Sequence, residues 1–268
     1  MTFAISLPDS LDEFDGDIGG IRPAANSSKP QVNLAELPRL GEKLRIPDSS
    51  AQVQRPRLYE MLEHSAGQYG ATLISGRAGT GKTSLATDFA RRQKRAAWYS
   101  IDSTDIEWGV FSHYFSECVR ESWKGSKLTK KLTADADLFQ GNVAQFLSDC
   151  FPQPKNNKSG GPSLIVLDNV HHVFDADWFC DFFNLLIASM PPNVHLLMLC
   201  RSRPPAPLWR LRSKQMLNVI DEKLLAFTRE ETREFFRVHE MPEQLADLVH
   251  KESFGRISKI KQFLGIPG

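Results

Sequence analysis

The sequence lacks the features that mark disulfide-rich, zinc-binding and membrane proteins. Its four cysteines are Cys118, Cys150, Cys180 and Cys200. They form no C-x-x-C pair and no Cys/His cluster, which argues against a disulfide scaffold and a zinc site. No window approaches the roughly 18 apolar residues that a membrane span needs, and the N-terminus has no basic, signal-like segment. We therefore expect a soluble cytoplasmic protein with reduced thiols and no membrane contact.

The chain also lacks an excess of charge of either sign. Its 268 residues include 33 Lys and Arg against 32 Asp and Glu, so the composition does not support nucleic-acid binding driven by counter-ion release. We find no direct nucleic-acid motif either. The length exceeds the roughly 100–200 residues of a usual domain, which allows one α/β domain with an appendage or two small domains.

The first fifty residues differ in composition from the rest. This stretch is rich in Ser, Pro, Gly and Asn, and five acidic residues precede its first basic residue, Arg22: Asp9, Asp12, Glu13, Asp15 and Asp17. Residues 1–50 are therefore predicted to form a mostly disordered acidic leader, either a solvated tail or an interaction segment. Order is expected to begin near Val53.

Strand and helix signals alternate after the leader. Short apolar runs predict strands over 72–75, 96–101, 164–168, 194–200 and 215–220. Helical periodicity predicts helices over 84–92, 107–123 and 177–189. The alternation indicates βαβ units and a mainly parallel sheet, so residues 51–225 are predicted to form an α/β core.

The last forty residues have a purely helical pattern. A capping box at 228–231 opens one helix, and two further helical patterns follow over 242–251 and 257–264. Residues 226–268 are therefore predicted to form a small helical lid.

One motif in the core carries a specific chemistry. Residues 76–83 read GRAGTGKT and fit the phosphate-loop pattern G-x-x-x-x-G-K-[ST], also called Walker A. Its glycines let backbone N–H groups point inward, and the helix that begins there adds partial positive charge. Lys82 is predicted to reach the β- and γ-phosphates, and the Thr83 hydroxyl to ligate Mg²⁺. The predicted phosphate-binding residues are Gly76, Arg77, Ala78, Gly79, Thr80, Gly81, Lys82, Thr83 and Ser84.

The strand over 164–168 supplies the second metal ligand that such a loop needs. It reads LIVLD, four apolar residues followed by a carboxylate at the strand's C-terminal end, where ligands bind in open α/β sheets. Asp168 is therefore predicted to bind Mg²⁺ in a Walker B role. Together the two motifs predict the three-layer α/β sandwich of a P-loop NTPase.

The residue after Asp168 bears on the rate of hydrolysis. Many hydrolysing proteins of this architecture carry a second acid here, whereas this chain has Asn169. An amide can orient a water molecule but cannot act as a general base. We therefore expect slow turnover, unless Asp102, Asp105 or Asp175 reaches the site.

A basic residue at the end of the 194–200 strand is the third candidate. Arg201 is predicted to lie beside the γ-phosphate and to act as a sensor of it. The alternative is a surface arginine that leaves the sheet, and the same alternative is stronger for Arg203, Arg210 and Arg212.

Several segments together resemble one family. Residues 55–58 (RPRL), 97–102 (AWYSID), 167–173 (LDNVHHV) and 190–205 (MPPNVHLLMLCRSRPP) resemble the nucleotide-binding module of the MalT-like, LuxR-type STAND NTPases, within the AAA/ATPase superfamily. The resemblance covers roughly Val53 to Phe236 and rests on the order and spacing of these motifs.

The resemblance implies an ATP-driven switch in signal transduction, with a resting ADP form and an active ATP form that promotes self-association or recruits a partner regulator. It implies a sensor role for Arg201 and places Arg55 near the base. Such regulators usually continue into sensor and helix-turn-helix regions that this chain does not contain. The chain is then either a fragment or a stand-alone module.

Two other functions stay open at this point. A P-loop small-molecule kinase would use the Arg-rich segment 201–212 as a phosphate lid, and a nucleotide-dependent scaffold would bind ATP without hydrolysing it. ATP is favoured over GTP because no N-K-x-D guanine-reading motif follows Asp168.

Overall fold

Five parallel strands form the centre of the protein. The computed structural model describes residues 40–49, 51–122, 139–150 and 163–266. The strands are β1 (Ala71–Ser75), β2 (Arg95–Ser100), β3 (Ser163–Asp168), β4 (Val194–Cys200) and β5 (Leu217–Ile220). They pair in the order β2-β3-β4-β1-β5. β3 and β4 are buried along their whole length, as unbroken apolar runs predict for a sheet covered on both faces.

Within the described residues, eleven α-helices flank or follow these strands. They are α1 (Leu40–Lys43), α2 (Pro56–Gln68), α3 (Lys82–Arg92), α4 (Trp108–Ser122), α5 (Phe139–Cys150), α6 (Phe179–Ala188), α7 (Ala206–Ser213), α8 (Glu222–Leu225), α9 (Arg229–Val238), α10 (Ala246–Ser253) and α11 (Ile257–Phe263). None of these helices has the length and apolar character needed to cross a membrane.

Alternate side chains of the sheet enter two separate cores. Ile165 and Leu167 of β3 lie in a core shared with α4, α5, α6 and α7, whereas Leu164 and Val166 lie in a core shared with α2 and α3. Because successive side chains of a strand point to opposite faces, the sheet separates two helical layers. The predicted fold class, an α/β three-layer sandwich with a mainly parallel sheet, is confirmed.

The C-terminal helices, α9 to α11, have a core of their own. The capping box is present, since the Thr228 hydroxyl accepts from the Glu231 amide at 3.1 Å and the Glu231 carboxylate accepts from the Thr228 amide at 3.0 Å. α10 and α11 begin and end within four residues of the predicted helices. Their core includes Phe235, Phe236, Ala246, Val249 and Ile260.

The sequence predicts neither α5 nor α7. In α5, Val143, Phe146 and Leu147 are buried at helical spacing, a pattern that is sufficient to predict the helix. α7 follows Pro205 and carries Pro207 in its first turn. These prolines read as chain breakers, yet the first turn of a helix tolerates proline because its N–H groups have no intrahelical partner.

Order begins earlier than the prediction near Val53. Residues 40–49 contain α1, and Lys43 is buried. Its ammonium lies 2.9 and 2.8 Å from the two Asp105 carboxylate oxygens and 2.8 Å from an Asp102 oxygen. The ion pairs compensate the burial of this charge, so a polar segment packs on the core. The rest of the predicted leader, residues 1–39 and residue 50, lies outside the described residues.

We expect Lys43→Met to lower the free energy of unfolding by about 3 kcal/mol, because it leaves the fully buried Asp105 carboxylate without its cation. Urea denaturation measures this effect. Arg45→Met is the control, since the Arg45–Asp48 pair is exposed and should contribute less than about 1 kcal/mol. Equal losses from the two substitutions would show that the buried pair does not anchor the segment.

Candidate nucleotide-binding site

Residues 76–83 run from the end of β1 into the first turn of α3. The Gly76 amide donates to the Cys200 carbonyl of β4 at 3.2 Å, which ties the loop to the neighbouring strand. Gly81 precedes α3 and has a φ of 83°, a left-handed conformation that glycine adopts without steric cost. No side chain caps the first turn of α3, so its N–H groups and the positive end of its dipole suit an anion.

The side chain of Lys82, the first residue of α3, is buried against this loop. Its ammonium donates to the Gly76 carbonyl at 2.5 Å and to the Arg77 carbonyl at 2.7 Å, and it lies 3.3 Å from the Thr80 hydroxyl. Burial lowers the pKa of Lys82, and the positive charge of Arg201 lowers it further. The loop therefore holds a partly desolvated cation among its own carbonyl groups.

Thr83 and Asp168 are 85 residues apart in sequence and adjacent in space. The Thr83 hydroxyl donates to Asp168 Oδ2 at 3.1 Å, and the Asn169 amide donates to Asp168 Oδ1 at 2.8 Å. Burial raises the pKa of Asp168, although the Thr83 hydrogen bond opposes this shift. A hydroxyl and a carboxylate oxygen at this separation suit Mg²⁺, which usually takes its other ligands from phosphates and water.

Asn169 has a backbone conformation that few residue types tolerate. Its φ is 59° and its ψ is 35°, and asparagine is one of the few non-glycine residues enriched in this left-handed region. It lines the same cavity as Lys82 and Asp168. The backbone conformation thus restricts this position to a few residue types, aspartate among them, so it does not by itself explain an amide in place of an acid.

The three other acids considered as bases do not line this cavity. Asp105 is buried against Lys43 and Tyr99, Asp102 also pairs with Lys43, and Asp175 is exposed. Among the lining residues that the structure describes, Asp168 is the one carboxylate. Of the residues that the structure describes, none adds a second carboxylate to the cavity lining beside the predicted metal ligands.

Arg201 directly follows β4 and lines the cavity. Burial is the main cause that lowers the pKa of Lys82, and repulsion from the Arg201 charge is the second. Arg203, Arg210 and Arg212 are exposed and do not line the cavity. Of the four arginines, Arg201 is the one that lines the cavity, with a side chain that is also exposed, and its sensor role stays a prediction.

Arg55, which directly precedes α2, also lines the cavity. Its guanidinium lies 4.8 Å from the Phe227 ring centre, donates to the Leu225 carbonyl and lies 3.5 Å from a Glu231 oxygen. Burial chiefly lowers the pKa of Arg55, to about 10. Arg55 therefore remains protonated at neutral pH and holds the start of α2 against the C-terminal helices.

The cavity has a volume of about 420 Å³. Sequence reasoning missed the residues that close it from either end of the chain. They are Ser49, Ala51, Gln52, Val53 and Tyr59 from the N-terminal side and Phe227, Phe235, Ile257, Ser258 and Lys261 from the C-terminal side. These residues belong to no local motif and meet only through tertiary packing.

The charges that line the cavity are mostly positive. Four cations, Arg55, Lys82, Arg201 and Lys261, face one carboxylate, Asp168. A cavity with this excess of positive charge suits a compact polyanion such as the phosphate chain of a nucleotide. The parallel sheet, the phosphate loop and the Thr83–Asp168 pair together define a P-loop NTPase fold.

Comparison of sequences agrees with this class. No protein-family model matches the chain. Over 184 residues it is 28% identical to the HTH-type transcriptional regulator MalT of Vibrio cholerae serotype O1 and 29% identical to that of Yersinia pestis. Each match covers 69% of this chain and 20% of the regulator, so the chain spans about a fifth of the length of these relatives. The chain is homologous to the MalT regulators over this region.

A solved structure supports the same fold. A STAND protein with a tetratricopeptide repeat sensor, from Pyrococcus horikoshii, superposes with a TM-score of 0.56 at 19% identity, over 82% of this chain and 31% of that one. At this identity the similarity establishes the fold alone. The resemblance to the MalT-like regulators stated from the sequence is thus confirmed by homology over this region, and the fold agrees with it.

Proposed function

We propose that the protein is an ATP-binding switch of the STAND type, which binds Mg-ATP, hydrolyses it slowly and transmits its nucleotide state. One observation carries the proposal. A loop lysine, a hydroxyl–carboxylate pair and an arginine line a single cavity that both the α/β core and the C-terminal helices enclose.

Each residue has a distinct role in this proposal. The Lys82 ammonium exchanges its two loop carbonyls for phosphate oxygens, and the first-turn amides of α3 bind the same phosphates. Thr83 and Asp168 hold Mg²⁺, which neutralises phosphate charge when bound. Arg201 contacts the γ-phosphate of ATP and loses that contact with ADP, so its position differs between the two forms.

Slow hydrolysis follows from the side chains that line the cavity near an attacking water molecule. Asn169 can orient the water but cannot take its proton, and Asp168 is committed to the metal. The side-chain amide therefore replaces the base that a rapid ATPase needs.

The biological role rests on the relatives. The MalT proteins are named as transcriptional regulators, and we extend to this chain a role in transcriptional signalling in the cytoplasm. Its nucleotide state would control self-association or the binding of a partner regulator.

Equilibrium binding of ADP and ATP with Mg²⁺, together with single-turnover hydrolysis, tests the proposal. We expect tight binding of both nucleotides and hydrolysis over minutes or longer. Phosphate release that accelerates strongly when a small-molecule acceptor is added would favour a kinase instead. Failure to bind either nucleotide would exclude the switch.

A scaffold that binds ATP without hydrolysing it is the second candidate. The absence of a second carboxylate among the described lining residues favours it. The two candidates differ in one outcome, since a scaffold retains intact ATP after prolonged incubation, whereas the proposed switch accumulates bound ADP.

We expect Asn169→Asp to raise the single-turnover hydrolysis rate about tenfold or more, because it places a potential general base beside Asp168. Aspartate also tolerates the left-handed backbone at this position. Asn169→Gly is the control, since it keeps the backbone conformation and supplies no base. An unchanged rate in Asn169→Asp would mean that the missing base does not limit hydrolysis.

A further inference from the structure

The segment over residues 40–49 crosses one edge of the sheet before the chain reaches the cavity. α1 contacts β2, the outermost strand on that side of the described sheet. Leu44 packs against the core that contains α4, and Ile46 packs against the core that contains α2 and α3. Because these cores lie on opposite faces of the sheet, the segment passes around β2 from one face to the other. A segment in this place covers the edge strand.

One buried charge ties this segment to the core. Lys43 is buried, whereas the other charged residues of the segment are exposed. Its ammonium lies 2.8 Å from an oxygen of Asp105, whose side chain is fully buried. The ion pairs that Asp48 forms with Arg45 and Arg91 are exposed. Exposed pairs contribute little to stability, whereas removal of one member of a buried pair is strongly destabilising. Lys43 is therefore the strongest polar anchor of the segment.

The chain that follows this anchor forms a wall of the cavity. The residues of this part that line it are Ser49, Ala51, Gln52 and Val53, whereas Lys43 does not line it. The Ala51 amide donates to Asp88 Oδ2 at 2.9 Å. Asp88 lies about 9 Å along α3 from Lys82, at roughly 1.5 Å per residue, so this wall lies beyond the phosphate loop. A nucleotide whose phosphates contact Lys82 would reach the wall with its ribose and base.

We infer that Lys43 is a positioning residue of the nucleotide site. Through its ion pairs with Asp105 and Asp102 it fixes the segment that leads into the wall, and it thereby raises nucleotide affinity without contacting the nucleotide. The inference rests on the proposed function. When the anchor is broken, the segment is docked for only part of the time, and the apparent affinity falls in proportion to the docked fraction.

The first test compares the binding of ATP and of inorganic tripolyphosphate, each with Mg²⁺, in Lys43→Met by isothermal titration calorimetry. We expect ATP binding to weaken about tenfold, the result of a wall that is docked about a tenth of the time. Tripolyphosphate has no ribose or base to reach the wall, so its affinity should stay within about twofold of wild type. Equal losses for the two ligands, or an unchanged ATP affinity, would overturn the inference.

Tyr99→Phe is the matched control. The Tyr99 hydroxyl donates to Asp105 Oδ1 at 2.7 Å from within β2. The substitution therefore removes another partner of the same buried carboxylate and leaves the Lys43 ion pair in place. It should keep ATP affinity within about twofold of wild type. A loss as large as that of Lys43→Met would show that any disturbance of Asp105 has the same effect, which contradicts a positioning role for Lys43.

A second measurement needs no ligand. The Ala51 amide is hydrogen-bonded to Asp88 when the segment is docked. Lys43→Met should therefore speed the exchange of this amide at least about tenfold in the nucleotide-free protein, as followed by NMR, and Tyr99→Phe should not. Unchanged protection of Ala51 in Lys43→Met would overturn the inference.

Asp102→Asn covers the case in which Lys43→Met does not fold. It removes the half-exposed partner of Lys43 and keeps the buried pair with Asp105. We expect a smaller change in the same direction, about threefold weaker ATP binding with tripolyphosphate binding unchanged. An ATP affinity equal to that of wild type would count against the inference.

The design separates this inference from the proposed function. If the wild-type protein binds ATP and Lys43→Met binds it equally well, the site stands and the inference fails. If the wild-type protein binds neither ATP nor tripolyphosphate, the proposed function fails, and the inference fails with it.

Discussion

Lys82→Ala is expected to lower ATP and ADP affinity at least about a hundredfold, because in the proposed function the lysine would make two charge-assisted contacts with phosphate oxygens, each worth roughly 1.5–3 kcal/mol. Equilibrium titration with ATP measures the loss. The fold should survive, since alanine has a high helix propensity at the start of α3 and the two hydrophobic cores do not include this side chain.

Lys94→Ala is the matched control for this substitution. Lys94 is an exposed lysine between α3 and β2, outside the cavity, so its removal should leave the affinity unchanged. Circular dichroism and thermal unfolding should be similar for both variants. Undiminished ATP affinity in Lys82→Ala would defeat the assignment of the phosphate loop.

Gly255→Ala is expected to cost about 3 kcal/mol or more in the free energy of unfolding, because its Cβ has no room. That Cβ would lie 2.2 Å from the Phe227 carbonyl oxygen. The Phe227 amide donates to the Gly255 carbonyl at 2.7 Å, so the two backbones cannot separate without losing this bond. Urea denaturation measures the loss, and hydrogen exchange should locate it in α10 and α11.

Gly265→Ala separates the steric clash from the backbone strain. Gly255 and Gly265 have φ values of 69° and 67°, yet a Cβ on Gly265 would meet nothing within 4 Å. This substitution should therefore cost no more than about 1–2 kcal/mol, the price of a left-handed conformation for alanine. Similar losses at the two positions would show that the contact with Phe227 does not hold the C-terminal helices in place.

The strands and the phosphate loop could be predicted because their signals are local. The run over 164–168 has no polar side chain before Asp168, and such a run fits a strand buried on both faces. The GRAGTGKT motif needs no distant residue to form its loop. The adjacency of Thr83 and Asp168 also followed, since both lie at the carboxyl edge of a parallel sheet.

The walls of the cavity could not be predicted in this way. Phe235 and Ile257 read as ordinary apolar residues of amphipathic helices, and nothing local shows which neighbours they will meet. Arg57 illustrates the same limit, since its guanidinium lies 2.8 Å from a Glu231 oxygen that is 174 residues away. Such long-range pairs depend on how the C-terminal helices dock.

The ordered structure of residues 40–49 could not be predicted for a different reason. Half of residues 40–49 are charged or polar, and the composition of the leader favours a solvated chain. Lys43 is nevertheless buried, because its ammonium forms ion pairs with the carboxylates of Asp105 and Asp102. A paired ion can enter a core where an unpaired one cannot, and the pairing is visible only in three dimensions.

The central claim is that a nucleotide occupies this cavity and that its identity sets the state of the protein. Native mass spectrometry with ADP, ATP and a non-hydrolysable ATP analogue, each with Mg²⁺, reports bound nucleotide and assembly size together. We predict one nucleotide per chain in all three conditions. The protein bound to the analogue should form a larger assembly than the protein bound to ADP, or should adopt a distinct conformer. Absence of bound nucleotide in every condition, or identical states with ADP and the analogue, would contradict the claim.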